Sequence, residues 1–174
     1  MGDLKSAKTM GGIGAILTLI PGVAIVGFVL KILAVKNISE VTKREEIFTK
    51  YLWAAILAIL ASIVAMWSFW GSMFRGGAYG YSMMSFGMAT TGVILAAVLM
   101  IVGVWFMKQS YDMISEETGV GLFHTTALLY LVGAILMIVM IGMLLILIAA
   151  ILEIVAFFSL PDELSKPVEE PAPI

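Results

Sequence analysis

Apolar residues form four long stretches that together occupy most of this 174-residue chain. The stretches are Met10–Val35, Ile47–Phe74, Phe86–Met107 and Leu122–Leu160. At ~1.5 Å of rise per helical residue, each is long enough to cross the roughly 30 Å hydrocarbon layer of a bilayer. The pattern therefore predicts an all-α polytopic membrane protein with little mass outside the lipid.

The two middle stretches have the features of ordinary membrane-spanning helices. Trp53 and Trp70 lie roughly 25 Å apart along a helix, which is the separation expected of two interfacial aromatic belts. Small residues line both stretches and predict that the two helices pack closely as an antiparallel pair. These helix-packing candidates are Ala54, Ala58, Ser62, Ala89, Gly92 and Ala96. The alternative is that the alanines serve only as helix formers.

The first and last stretches are predicted to break. Pro21 and Gly22 stand in the middle of the first, where proline removes a backbone donor and glycine tolerates the bend. The last would make a helix of roughly 58 Å, nearly twice the hydrocarbon thickness, and Gly142 is its natural break point. Each is either one kinked span or a re-entrant hairpin.

The positions of the basic residues favour the hairpin arrangement. If both end stretches turn back, every lysine and Arg44 face the cytoplasm, and only Arg75 lies outside, as the positive-inside rule expects. With four plain spans, the basic residues divide almost evenly. Both arrangements place the two chain ends on the same side.

Two short segments recur within the chain. Gly14–Leu17 recurs as Gly133–Leu136, and Ile38–Thr42 resembles Ile114–Thr118. The recurrences indicate a tandem duplication, although chance matches are common in such apolar sequence. Thr42–Glu45 also fits a capping box, which predicts that the second long helix begins there.

Composition narrows the function classes. Hydrophobic residues make up 61% of the chain and charged residues 13%, against about 25% charged in a typical soluble protein. A net charge of -2 excludes nucleic-acid binding through a basic surface, and the absence of cysteine excludes thiolate metal sites. We expect one helical membrane domain over 1–161 and a disordered, acidic, proline-rich tail over 162–174.

Several segments carry a resemblance to a known family. They are Gly11–Leu17, Ile20–Gly22, Lys36–Ser39, Glu116–Gly119, Leu122–Phe123, Leu129–Leu136 and Ala156–Pro161. The chain resembles the uncharacterised, mainly archaeal family of small membrane proteins called domain of unknown function nine-nine-six. The resemblance implies an archaeal origin and a compact helical membrane fold, and it implies no activity or catalytic residue.

Besides Lys50, at the start of the second stretch, Lys31 and Glu153 are the only charged residues inside the apolar stretches. Charges at such positions are costly and are candidates for function. When the two end stretches are aligned, Glu153 falls two residues from the counterpart of Lys31. The two could therefore form an ion pair that fixes the packing of the end segments. Alternatively, each side chain could reach the membrane surface on its own.

Other candidates for chemistry are weaker. His124 is the only histidine, and without a carboxylate or thiolate nearby it is interpreted as an interfacial polar residue. Met83, Met84 and Met88 could ligate Cu(I), because soft thioethers select that ion, but methionine is also an ordinary apolar side chain. No other metal site, no cofactor and no catalytic motif is expected, so the chain is predicted not to be an enzyme.

The sequence therefore favours a structural or accessory subunit of a homo-oligomer or a larger complex in the cell membrane. The alternative is a small oligomeric transporter or channel, with Cu(I) as its most specific cargo. The polar path that such a transporter needs is thin in this sequence. It would consist of Ser62, Ser68, Ser72, Ser85, Thr90 and Thr91.

Overall fold

The computed structural model describes residues 3–79, 83–137 and 141–164, and within them the side chains outside 72–79 and 83–90. These residues form six α-helices and no strand, which confirms the predicted all-helical fold. The helices are α1 Lys5–Thr18, α2 Ala24–Thr42, α3 Glu45–Tyr79, α4 Met83–Thr118, α5 Leu122–Leu136 and α6 Gly142–Phe158.

Both predicted helix breaks are present. Helix α1 ends at Thr18, and the turn before α2 contains Pro21 and Gly22. Gly22 has φ +94°, a left-handed conformation that glycine adopts without steric cost. The second break lies between Leu136, where α5 ends, and Gly142, where α6 begins.

Glycines allow the helices of each short hairpin to approach closely. A Cβ atom on Gly14 would lie 2.8 Å from the carbonyl oxygen of Gly27, so α1 and α2 touch there through backbone atoms. A Cβ atom on Gly142 would lie 2.1 Å from the carbonyl oxygen of Gly133. Gly14 and Gly133 are the first residues of the two matching sequence segments. The repeat therefore marks the same structural feature in both hairpins, the point where the helices meet.

The six helices form a closed ring. Each helix packs on its neighbours in the chain, and α6 packs back on α1. The chain ends close this last contact, because the Leu4 N–H donates to the Asp162 carbonyl at 2.9 Å and Lys8 pairs with the Asp162 carboxylate at 3.2 Å. Asp162 and the largely buried Leu164, at the start of the predicted tail, thus pack on the bundle; residues 165–174 lie outside the described residues.

The buried core lies at one end of this ring, where the chain ends meet the α2–α3 and α4–α5 loops. Its largest apolar side chains are Leu4, Ile38, Ile47, Tyr111, Ile114, Phe123, Phe157 and Leu160. All of them lie within a few turns of a loop or a chain end. Toward the opposite end the hairpins expose large apolar side chains, including Ile25 and Trp67.

Helices α3 and α4 form the predicted central pair. They contain 35 and 36 residues, and segments 45–71 and 91–118 are long and apolar enough to cross a membrane. Small residues do line their contact: a Cβ atom on Gly103 would lie 3.2 Å from Leu57, and one on Gly92 would meet Ser68.

The contact face differs in part from the predicted one. Ala54 and Ala96 are buried as expected, but Ala58 and Ser62 are exposed. The α3 contact face instead passes through Ala54, Leu57 and Ser68, because a seven-residue repeat follows one side of a helix and positions 58 and 62 fall beside it. The side chain of Ala89 lies outside the described residues.

The two loops at the core end share one conformation. Thr42 and Thr118 each end a helix, and their hydroxyls donate to the carbonyls of Ile38 and Ile114 at 2.8 and 2.7 Å. The next residue is left-handed in both loops, Lys43 with φ 54° and Gly119 with φ 74°. The predicted capping box is therefore wrong: Thr42 ends α2 and does not cap α3, since its hydroxyl bonds backward.

The close approach at Gly142 gives a test of the second hairpin. We expect Gly142→Ala to destabilise the protein strongly, because the added methyl would overlap backbone atoms of Gly133, Met137 and Leu136. Gly121→Ala is the matched control, since no atom lies within 4 Å of that added Cβ. Thermal unfolding in detergent should show a large loss for the first variant and little change for the second. Equal losses would contradict the close packing at Gly142.

Candidate functional site: a buried carboxylate cluster

Five polar side chains meet inside the apolar core, each from a different helix. They are Lys31 of α2, Tyr51 of α3, Tyr111 of α4, Tyr130 of α5 and Glu153 of α6, and we call them the Glu153 cluster. The Glu153 side chain is 1% exposed and that of Lys31 11%. Two charges are therefore removed from solvent in a region that is otherwise apolar.

The Glu153 carboxylate accepts hydrogen bonds on both oxygens. The Lys31 ammonium donates to Oε1 at 3.0 Å and to Oε2 at 3.2 Å. The Tyr111 hydroxyl also donates to Oε1, and the Tyr130 hydroxyl donates to Oε2 at 2.8 Å. The carboxylate is thus compensated by one opposite charge and two neutral donors, the condition under which a buried charge is tolerated.

Aromatic rings surround the cluster on its core side. Tyr51 stacks on Tyr111 with ring centroids 5.9 Å apart and planes 13° from parallel. Phe123 and Phe157 each meet Tyr111 edge to face, at 5.3 and 6.4 Å. Aromatic packing of this kind fixes ring orientation, so the Tyr111 hydroxyl is held toward Glu153.

The arrangement indicates a structural anchor. A buried ion pair contributes little net stability compared with apolar packing, but removing one partner costs about 3–5 kcal/mol. The cluster therefore penalises any packing that separates α2, α4, α5 and α6 from their present positions. Both carboxylate oxygens are engaged, which suits a fixed anchor better than a group that must exchange protons or bind substrate.

The structure brings together the two charges that the sequence singled out, and the three tyrosines were missed. A usable signal was present, because Tyr51, Tyr111 and Tyr130 are hydroxyl donors placed among apolar residues, and a buried tyrosine hydroxyl needs a partner. The sequence alone could not show which tyrosines face the inside of the helix bundle, because that depends on how the hairpins fold back.

A second polar contact shows that His124 has a carboxylate neighbour. Its Nδ1 lies 2.7 Å from the Asp112 carboxylate, which also pairs with Lys108. The expectation that no carboxylate lies near His124 was wrong, because α4 and α5 are antiparallel about a short loop and bring residues 112 and 124 side by side. His124 is about half exposed, and its interfacial position stays a prediction.

A third polar contact joins the two loops at the core end. Arg44 donates to Glu117 at 2.8 Å and to Glu116 at 3.3 Å. The hydrogen bond to Glu117 raises the pKa of the Arg44 guanidinium above its ordinary value. Because these side chains are substantially exposed, we expect the contact to add little stability.

The metal prediction falls mostly outside what the structure describes. The side chains of Met83, Met84 and Met88 are not among those described, so Cu(I) binding stays a prediction. Within the described residues, no three histidine or acidic side chains lie close enough to hold a metal ion.

Comparison with known proteins places the chain in a family. The sequence profile of the family described as "Protein of unknown function (DUF996)" matches residues 23–151. The chain belongs to this family. It is 43% identical over 173 residues to an uncharacterised protein of the archaeon Methanocaldococcus jannaschii, a match that covers 94% of this chain and 97% of the relative. No solved structure matches the chain.

The resemblance inferred from the sequence is thereby confirmed. The match supports an uncharacterised family with archaeal members. It brings no activity, ligand or partner, so any function must be argued from the residues themselves.

The ion pair is testable by a double-mutant cycle. We expect Glu153→Gln to lower stability in detergent by about 3–5 kcal/mol, because Lys31 would stay buried without its counter-charge. Lys31→Met combined with Glu153→Leu should recover part of that loss, because no buried charge is left unpaired, while the Tyr111 and Tyr130 hydroxyls lose their acceptor. Unfolding free energies of the wild type, Lys31→Met, Glu153→Leu and the double variant would measure the coupling, and simple additivity would show that the two charges do not interact.

Proposed function

We propose that this protein is a non-catalytic integral membrane protein that acts as a structural or accessory subunit, packed against copies of itself or a larger complex in the cell membrane. The observation that carries the proposal is the contrast between a small, buried and fully hydrogen-bonded polar anchor toward one end and extensive outward apolar surface elsewhere. Outward apolar surface of this kind is suited to contact with other membrane components, as the proposed role requires.

The outward surface supports a lipid environment. Only 17% of the most apolar 18-residue window of α3, and 11% of that of α4, is buried within the bundle. Trp67 is 82% exposed, and Ile59 and Ile63 are each about half exposed. Soluble monomers rarely present contiguous apolar surface beyond a few hundred Å², whereas lipid tails or a neighbouring membrane helix would cover this surface without cost.

The basic residues support a cytoplasmic location for the core end. Among the described side chains, most lysines and arginines lie within two turns of the helix ends and loops there. They are Lys5, Lys8, Lys36, Lys43, Arg44 and Lys50; Lys108 lies deeper in α4, and Lys31 is buried. Arg75 stands near the far end of α3. Cytoplasmic segments carry the excess of lysine and arginine, so both chain ends are assigned to the cytoplasm.

The transport alternative has less support. Ser62 and Ser68, which belong to its polar path, donate their hydroxyls to carbonyls of Ala58 and Val64 in their own helix at 2.8 Å. Hydroxyls satisfied in this way resemble ordinary serines of membrane helices. The structural role therefore remains the proposal, and solute flux through the purified protein would count against it.

Insertion into lipid can be tested by fluorescence quenching. With Trp53, Trp67, Trp70 and Trp105 changed to Phe and Ile63→Trp added, we expect the strongest quenching from lipids brominated deep in the acyl chain. A variant that keeps only Trp70 is the control, and shallow bromines should quench it best. Quenching of the tryptophan at 63 by aqueous iodide would show that this face is not in lipid.

The accessory role is tested by the state of the protein in its own membranes. Affinity purification in mild detergent followed by native mass spectrometry should give a defined assembly, either several copies of this chain or a hetero-complex of fixed composition. A monomer that carries only lipid, or purified protein that supports flux of Cu(I) or another solute into liposomes, would contradict the proposal.

A further inference from the structure

The contact between α1 and α6 differs from every other contact in the ring. The other five neighbouring pairs are consecutive in the chain, whereas α1 and α6 are held only by non-covalent contacts. We call this contact the seam. The backbone hydrogen bond between Leu4 and Asp162 and the ion pair between Lys8 and Asp162 close it at the core end.

Inside the seam, aromatic rings of α6 lie against glycines of α1. A Cβ atom on Gly11 would lie 2.1 Å from the Phe157 ring, and one on Gly12 would lie 2.5 Å from the Phe158 ring. Phe157 is fully buried. The two phenylalanine rings can lie this close because two consecutive glycines have no side chains. The seam is therefore a specific contact between glycines of α1 and aromatic rings of α6.

The Lys31–Glu153 ion pair bridges the same two hairpins. Lys31 belongs to the α1–α2 hairpin, and Glu153 belongs to the α5–α6 hairpin. The other donors to Glu153, Tyr111 and Tyr130, lie on α4 and α5. Only the lysine therefore comes from the first hairpin, and separating that hairpin would leave the carboxylate with two of its donors.

The first hairpin is covalently attached to the rest of the bundle at one short place. Residues Lys43 and Arg44 connect α2 to α3. Lys43 has φ 54°, and it is the only residue other than glycine with positive φ in the described part of the chain. A lysine in this conformation is strained, and hinges are a few element-terminal residues that absorb changes in φ and ψ.

We propose that the α1–α2 hairpin is a hinged arm that opens at the seam about Lys43, with the Lys31–Glu153 pair as its latch. Opening separates α1 from α6, breaks the contacts of Asp162 with Leu4 and Lys8, and withdraws the Lys31 ammonium toward the membrane surface. Glu153 remains bonded to Tyr111 and Tyr130 on the stationary side. The open state therefore avoids a bare buried carboxylate.

A thiol-labelling experiment tests the arm. Because the chain has no cysteine, only the introduced thiol can react. Ala7 is fully buried and lies one turn before Gly11 on the same side of α1. Ala127 is equally buried in the same core, but on α5. Ala7→Cys reports opening of the seam, and Ala127→Cys reports opening of the core as a whole. Reaction with N-ethylmaleimide in mild detergent is followed by intact-mass spectrometry.

We expect the thiol at position 7 to react at least tenfold faster than the thiol at position 127 in the otherwise wild-type chain. Adding Lys31→Met should accelerate labelling at 7 by at least ten times the factor by which it accelerates labelling at 127. Lys36→Met is the matched control, because Lys36 lies on the same helix but pairs with Glu40 on its own exposed surface. It should change neither rate.

Two results would overturn the proposal. Equal labelling rates at 7 and 127 in the wild-type background would show that the bundle opens as one unit, and this comparison does not require that any Lys31 variant fold. Equal acceleration of both thiols by Lys31→Met would show that the ion pair holds the whole core and is not specific to the arm.

Discussion

The Glu153 carboxylate is the interaction on which the rest of this structure depends. A charge in an apolar core must be compensated, and here the compensation comes from three other helices at once. Apolar packing alone specifies helix positions poorly in lipid, because lipid tails contact an apolar helix as well as another helix does. The carboxylate supplies the direction that such packing lacks, since Lys31, Tyr111 and Tyr130 all reach it together only when the four helices hold their present positions.

Close backbone contacts complete this specification. Glycines set the distance between helices within each short hairpin, at Gly14 with Gly27 and at Gly133 with Gly142. Within a hairpin the glycines fix how near two helices lie, and across hairpins the carboxylate fixes which hairpins meet. These separate roles of the glycines and of the carboxylate explain how a bundle with so little buried apolar surface along its length still has one preferred packing.

Much of this fold could be predicted from residues with strong local preferences. Proline and glycine at 21–22 forced the first break, the length of the last stretch required the second, and the rarity of charges in apolar sequence identified Lys31 and Glu153. The error at Thr42 is local, since its hydroxyl bonds back to Ile38 and does not cap the next helix. The errors at Ala58, Ser62 and His124 have another cause, because these residues were interpreted from their own helix. Their environment is set by helix rotation and by residues distant in sequence, which local pattern does not encode. The three tyrosines of the cluster were missed for the same reason.

The sequence separation of the ion pair has a consequence for how the protein is made. Lys31 and Glu153 are 122 residues apart, which at synthesis rates of 5–20 residues per second is roughly 6 to 24 seconds. Throughout that interval the first hairpin exists without its counter-charge, and a lone lysine is held near the lipid headgroups. The ring can close only when the last helix emerges from the ribosome. The final helix to be synthesised is thus also the one that commits the first to its place in the bundle.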